Sequence, residues 1–164
     1  MRCIVAATLL TVLMAGPSRA QEPVPEDFAF FYSVNSMGAE RSYDSSENMR
    51  RVPSPCFDDY FFYARLTAVQ KGEIYNAIMR NDLWSVRRDL TQPPDGSPEG
   101  ALGLPMATVQ GNFGFAANGM RMFLTFSEKT RDAKWRDVHQ VVRGVLQQVD
   151  GAYEFPDDAC PGDQ

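Results

Sequence analysis

The amino-acid sequence predicts an α+β domain: an antiparallel β-sheet of about four to six strands, two main α-helices packed on one of its faces, and one disulfide. Three observations carry that expectation. Asn118-Gly119 lies between GNFGFAA and MRMFLTF, two runs of alternating apolar residues, which is the strongest short-range signature of a two-residue hairpin. Trp135, Val138, Val142, Val145 and Val149 recur at three- and four-residue intervals, the spacing of one apolar stripe on a helix. Thr67-Ala-Val-Gln70 has the Thr-x-x-Gln form of a helix capping box and follows directly on an aromatic, strand-like run. Strands, helix, strands, helix, without regular β-α-β alternation, give the class.

The N-terminal segment sets the compartment. Arg2 precedes a thirteen-residue apolar run from Cys3 to Ala15, then the breakers Gly16 and Pro17, then Ser18-Arg19-Ala20. Small residues three and one positions before Gln21 fit a signal-peptidase site, so residues 1–20 are expected to be a cleaved signal peptide. A run of thirteen is too short to span a bilayer, which takes about 20 helical residues. The expected location is periplasmic or secreted, with no membrane span. Residues 21–26 then form a flexible linker, and 27–164 a single domain.

Within that domain, Asp27 to Asn35 (DFAFFYSVN) is short and aromatic, which favours a buried strand. AERSYDSSENMRRV then suggests two weak, polar, paired strands. In DYFFYARL, alternation places Tyr60, Phe62 and Ala64 on one face and Phe61, Tyr63 and Arg65 on the other. The helix capped by Thr67 turns Ile74, Ala77 and Ile78 inward and ends near Asn81, with Leu83, Trp84 and Val86 as an apolar plug behind it. A Pro/Gly-rich loop is expected over 91–105. Phe113, Phe115 and Ala117 on one arm of the hairpin share a face with Met120, Met122, Leu124 and Phe126 on the other. The last helix covers DAKWRDVHQVVRGVLQQVDG, with Gly151 as its C-cap.

Cleavage would remove Cys3 and leave Cys56 and Cys160. In an oxidising compartment an even count indicates a disulfide, and two cysteines allow one pairing. The other roles lack their partners. A lipid anchor needs a cysteine where Gln21 stands, a thiolate needs a base where the chain has only His139, and a structural zinc needs four closely spaced ligands. Closing so long a loop would restrict the unfolded chain by about 4–5 kcal/mol in the entropic description.

Charge narrows the partners. Loss of Arg2 and Arg19 leaves 14 basic residues against 21 acidic, a net −7, which disfavours nucleic acid and anionic membrane surfaces. No Gly-x-Ser-x-Gly, Ser-x-x-Lys or His-Glu-x-x-His motif occurs, and no catalytic residue or cofactor is assigned. His139, the sole histidine, flanks the apolar stripe of the last helix and is expected at the edge of the core. Asp58, Asp59, Asp157 and Asp158 flank the two cysteines and offer the oxygen ligands of a calcium site, or a carboxylate pair for hydrolysis; adjacent acids in loops are more often simply solvated. The doublets Arg50-Arg51 and Arg87-Arg88 either pair with nearby acids or mark a patch for an acidic partner. If Phe31, Tyr63 or Phe123 point away from the helices, they form an apolar surface for a protein or cell-envelope partner, or for a homodimer. The long loop folding back over them is the alternative.

The run LTAVQKGEIYNAIMRNDLW, between an aromatic strand pair and a hairpin-helix unit, resembles a layout of exported bacterial α+β domains of uncharacterised function. The resemblance spans roughly residues 27–153 and implies a periplasmic or secreted accessory domain, with no catalytic residue to transfer. A non-enzymatic binding domain is therefore the expected function, with a small hydrolase or calcium-binding module as the alternative.

Overall fold

A computed structural model describes residues 23–36, 39–53, 59–91, 111–127 and 130–153. Its strands are β1 (Ala29–Ser36), β2 (Ala39–Asp44), β3 (Met49–Val52), β4 (Tyr60–Tyr63), β5 (Asp89–Leu90), β6 (Gly111–Ala117) and β7 (Met120–Phe126). The helices are α1 (Ala68–Arg80) and α2 (Ala133–Gly151), and a 3-10 turn over Leu83–Ser85 follows α1. The described part of the expected signal peptide is none; residues 1–20, Cys56, Cys160 and most of the 91–105 loop lie outside the described residues. Among the described residues no helix is long and apolar enough to cross a membrane.

The α+β class holds, with two corrections to the sheet. Among the described residues it has seven strands in the order β4-β3-β2-β1-β6-β7-β5, more than the four to six expected, and it is mixed because β5 runs parallel to β7. The physical reason is the shortness of β5. Two residues have no periodicity to display, and this strand is held by individual bonds instead. Thr125 N–H donates to Arg88 O at 2.8 Å, and the Thr130 hydroxyl donates to Leu90 O at 2.8 Å.

Local chemistry explains the other elements. The β6–β7 turn puts Asn118 at φ 53° and Gly119 at φ 73°, the left-handed pair of a type I′ turn. Asp27 closes it from outside, accepting the amides of Asn118 (2.9 Å) and Gly119 (2.7 Å). Thr67 caps α1 through the full box: its hydroxyl accepts Gln70 N–H while Gln70 accepts Thr67 N–H. Asp132 caps α2, accepting Trp135 N–H at 2.9 Å. Gly151 falls inside α2, and the C-cap is Ala152, one position beyond the expected end.

Both helices lie on one face of the sheet. Tyr75 of α1 meets Phe28 edge-on at 5.2 Å, and Arg80 and Asn81 bind Asp137 of α2. Trp135 of α2 is 1% exposed and packs on Phe113 and Phe126, so its truncation to alanine would cost about 3–5 kcal/mol. From there α2 crosses the strands obliquely: Trp135 stands over β6 and β7, His139 over β1, Asp150 over β3, and Tyr153 stacks on Phe62 of β4 at 3.9 Å. The expected inward residues of α1 and the hairpin are buried, except Met120, which sits beside the turn and is exposed.

Candidate functional site

Asp137, which meets α1, lies on the flank of α2 away from Arg143 and Gln147, since residues advance about 100° each around a helix. On that second flank no described helix covers the sheet. The result is a cleft of about 550 Å³ between α2 and the inner face of β1, β2 and β3. Val34, Ala39, Pro53 and Leu146 supply apolar wall; Tyr32, His139, Arg41, Arg50, Arg143 and Asp150 supply the polar groups.

Strand alternation decides which side chains enter. Arg41 and Tyr43 face inward on β2, and Arg50 and Val52 inward on β3, so the doublet Arg50-Arg51 splits across the sheet. Arg50, with its side chain 4% exposed, donates through Nε and Nη2 to the two oxygens of Asp150, both at 2.7 Å, and through Nη1 to Ser42 O at 3.0 Å. A guanidinium so buried requires this forked partner, and the pair ties the end of α2 to β3. Arg51, on the outer face, pairs with Glu40 and Asp59 and lies over the Phe61 ring. Both members of the doublet thus pair with acids.

The other end of the cleft is built from aromatic rings. Tyr32 Oη and His139 Nε2 share a hydrogen bond of 2.8 Å, and the imidazole stacks on the Trp135 indole at 5.2 Å with 7° between planes. Burial first, and the Arg143 guanidinium second, push the imidazole down to about 4, so it is neutral at neutral pH. Burial pushes the Tyr32 phenol up to about 12 despite the pull of Arg143 and Arg50. His139 therefore sits at the core edge, as its position in the stripe suggests, but with its Nε2 already engaged by Tyr32.

With His139 neutral, three arginines against Asp150 leave the cleft with an excess of two positive charges, in a chain of net charge −5. Arg41 approaches Asp150 only to 3.9 Å and stays 56% exposed. Arg143 makes no hydrogen bond or ion pair with a described residue. Such a site can hold an acidic group; among the described residues that line it there is no serine, cysteine or unpaired carboxylate.

One of the remaining candidates is described. Asp59 is bound to Arg51, and Asp58, Asp157 and Asp158 lie outside the described residues. Among the described residues no three of His, Cys, Asp and Glu are gathered to hold a metal ion. On the outer face, register aligns Tyr63, Met49, Asp44, Phe31, Gly114 and Phe123 in one row. Tyr63 and Phe123 are exposed, Phe31 is half-buried, and the missing side chain of Gly114 leaves a hollow between the two phenylalanines. No local motif in the sequence marks Tyr32, Arg41, Arg143 or Asp150. The one available signal was strand alternation, which turns Arg50 inward and Arg51 outward.

The fold and cleft define an α+β domain with an open, cationic ligand-sized recess. No protein-family model matches the chain, and no curated protein matches it.

Proposed function

We propose that this chain is an exported, non-enzymatic binding domain that holds a ligand in the cleft between α2 and the sheet. The observation that carries the reading is the convergence of Tyr32, His139, Arg41 and Arg143 on one recess whose only histidine is already hydrogen-bonded and neutral. Small-molecule sites are concave, partly apolar and furnished with a few convergent polar groups. General-base catalysis needs a proton acceptor near its working pH, and an imidazole at about 4 stacked on Trp135 is poorly suited to that task. Export is proposed from the N-terminal segment and from the resemblance to exported accessory domains, and a Cys56–Cys160 disulfide is proposed with it.

Thermal unfolding in the presence of a mixed set of small acids, amides and amines tests the binding claim. Some members should raise the melting temperature of the native chain and fail to do so in Ala39→Trp, where an indole would occupy the recess. No stabilisation by any member, or steady consumption of one, would count against it. Export and the disulfide are checked on periplasmic material: the chain should begin at Gln21 and weigh two hydrogens less than its reduced form.

A second reading has its own observation. The outer row from Tyr63 to Phe123 suits a protein or envelope partner, or a second copy of the chain. Light scattering of the native chain and of Phe123→Ser tests the dimer version, which a monomer at all concentrations would refute.

A further inference from the structure

We propose that the cleft selects an organic acid, a single carboxylate on an apolar body, with the carboxylate against Arg143 and the body on Val34, Leu146 and Pro53. This rests on the ligand-binding reading above and specifies what that site accepts.

The three arginines are not equivalent. Arg50 has a partner for each of its three nitrogens, and Asp150 is committed to it through both oxygens. That pair is internally neutral. Arg41 and Arg143, on opposite walls, are left with a long contact and with no described partner respectively. Both are exposed, and neither donates a hydrogen bond to a described residue. Guanidinium groups recognise carboxylates through two parallel N–H donors, and such charge-assisted bonds are stronger than neutral ones.

Position within the cleft orders the two ends of the ligand. Arg143 is one helical turn beyond His139 and close enough to act on the charge of both His139 and Tyr32. The acid group therefore belongs at the Arg143 end, above the Tyr32–His139 pair. Asp150 sits at the far end and disfavours a second negative charge there. The carbonyl end of α2 lies on that side too and acts in the same sense. A monoacid with a carbon body meets these demands better than a multiply charged phosphate. The volume of about 550 Å³ is also several times what a bare inorganic anion would fill.

Calorimetric titration of the mature chain tests the assignment with a series of aliphatic and aryl monocarboxylates, their amides, the corresponding amines, phenyl phosphate and inorganic phosphate. At least one carboxylate should bind about ten- to hundred-fold tighter than its own amide, with the amine not bound. Arg143→Gln should remove that preference without moving the thermal midpoint, since Arg143 supports no described contact, and Arg143→Lys should retain part of it. Equal binding of acid and amide, or full affinity in Arg143→Gln, would overturn this inference while leaving the ligand-binding reading intact. Tighter binding of either phosphate would overturn the carboxylate assignment. Failure of every probe, charged or neutral, would overturn both.

Discussion

The Arg50–Asp150 pair gives the sharpest stability prediction. Asp150→Ala would leave a guanidinium whose side chain is 4% exposed without two bonds of 2.7 Å. Stranding a fully buried charge costs about 3–5 kcal/mol. Asp150 is 19% exposed and borders the cleft, so water can replace part of what is lost. The expected cost is thus about 2–3 kcal/mol, or a fall of about 6–12 °C in thermal midpoint for a domain of this size. Urea unfolding followed through Trp84 and Trp135 fluorescence would measure it, provided the slope with denaturant stays constant. Arg50→Met in the same chain should restore stability to within about 1 kcal/mol of native, because the apolar side chain fills the space of the arginine stem without a charge to satisfy. A loss below about 0.5 kcal/mol in Asp150→Ala, or a double variant no better than the single one, would refute the reasoning.

Three further outcomes follow from the same geometry. The folded state holds His139 near 4 against about 6.5 unfolded, so its contribution to stability is fully present above about pH 6.5 and is lost as pH falls through about 4. After discounting for partial exposure this amounts to about 1–2 kcal/mol, absent from His139→Gln; an imidazole titrating by NMR at or above 6.5 would contradict it. Gly111→Ala should severely destabilise the sheet, since its Cβ would stand 2.1 Å from Ser33 O, whereas Gly144→Ala, with nothing within 4 Å, should stabilise α2 by about 0.5–1 kcal/mol. Urea midpoints moving in the same direction for both would be inconsistent with this packing. Bonds from Gly119 and Asn118 hold the Asp27 carboxyl below the usual range, so its support of the hairpin is present above about pH 4 and fades as the acid protonates. Asp27→Ala should therefore lower the thermal midpoint at pH 7 and not at about pH 2.

What could be seen in the sequence was what repeats over a few residues. The Thr67–Gln70 box, the Asn118-Gly119 turn and the Trp135-to-Val145 stripe are local patterns, and each gave the element it announced. β5 escaped because two residues carry no period and its bonds come from Thr125 and Thr130, far along the chain. Met120 was assigned inward by alternation, but it sits at the turn where the sheet ends and is exposed there. The cleft was invisible for a different reason. Its parts come from β1, β2, β3 and α2, and its two key contacts join residues 107 and 100 positions apart. Their meeting depends on strand order and on the oblique path of α2, neither of which any local pattern encodes. Arg50 illustrates the boundary: alternation could separate it from Arg51, but only the fold supplies Asp150.

The claim that ligands enter beside α2 is tested most directly by mapping where one lands. Amide shifts of the isotope-labelled mature chain, recorded while the tightest-binding monocarboxylate is added, should move at Val34, Arg41, His139 and Arg143 and stay fixed at Phe31, Gly114 and Phe123. Shifts confined to those three outer-face positions, or spread evenly over both faces, would contradict the account.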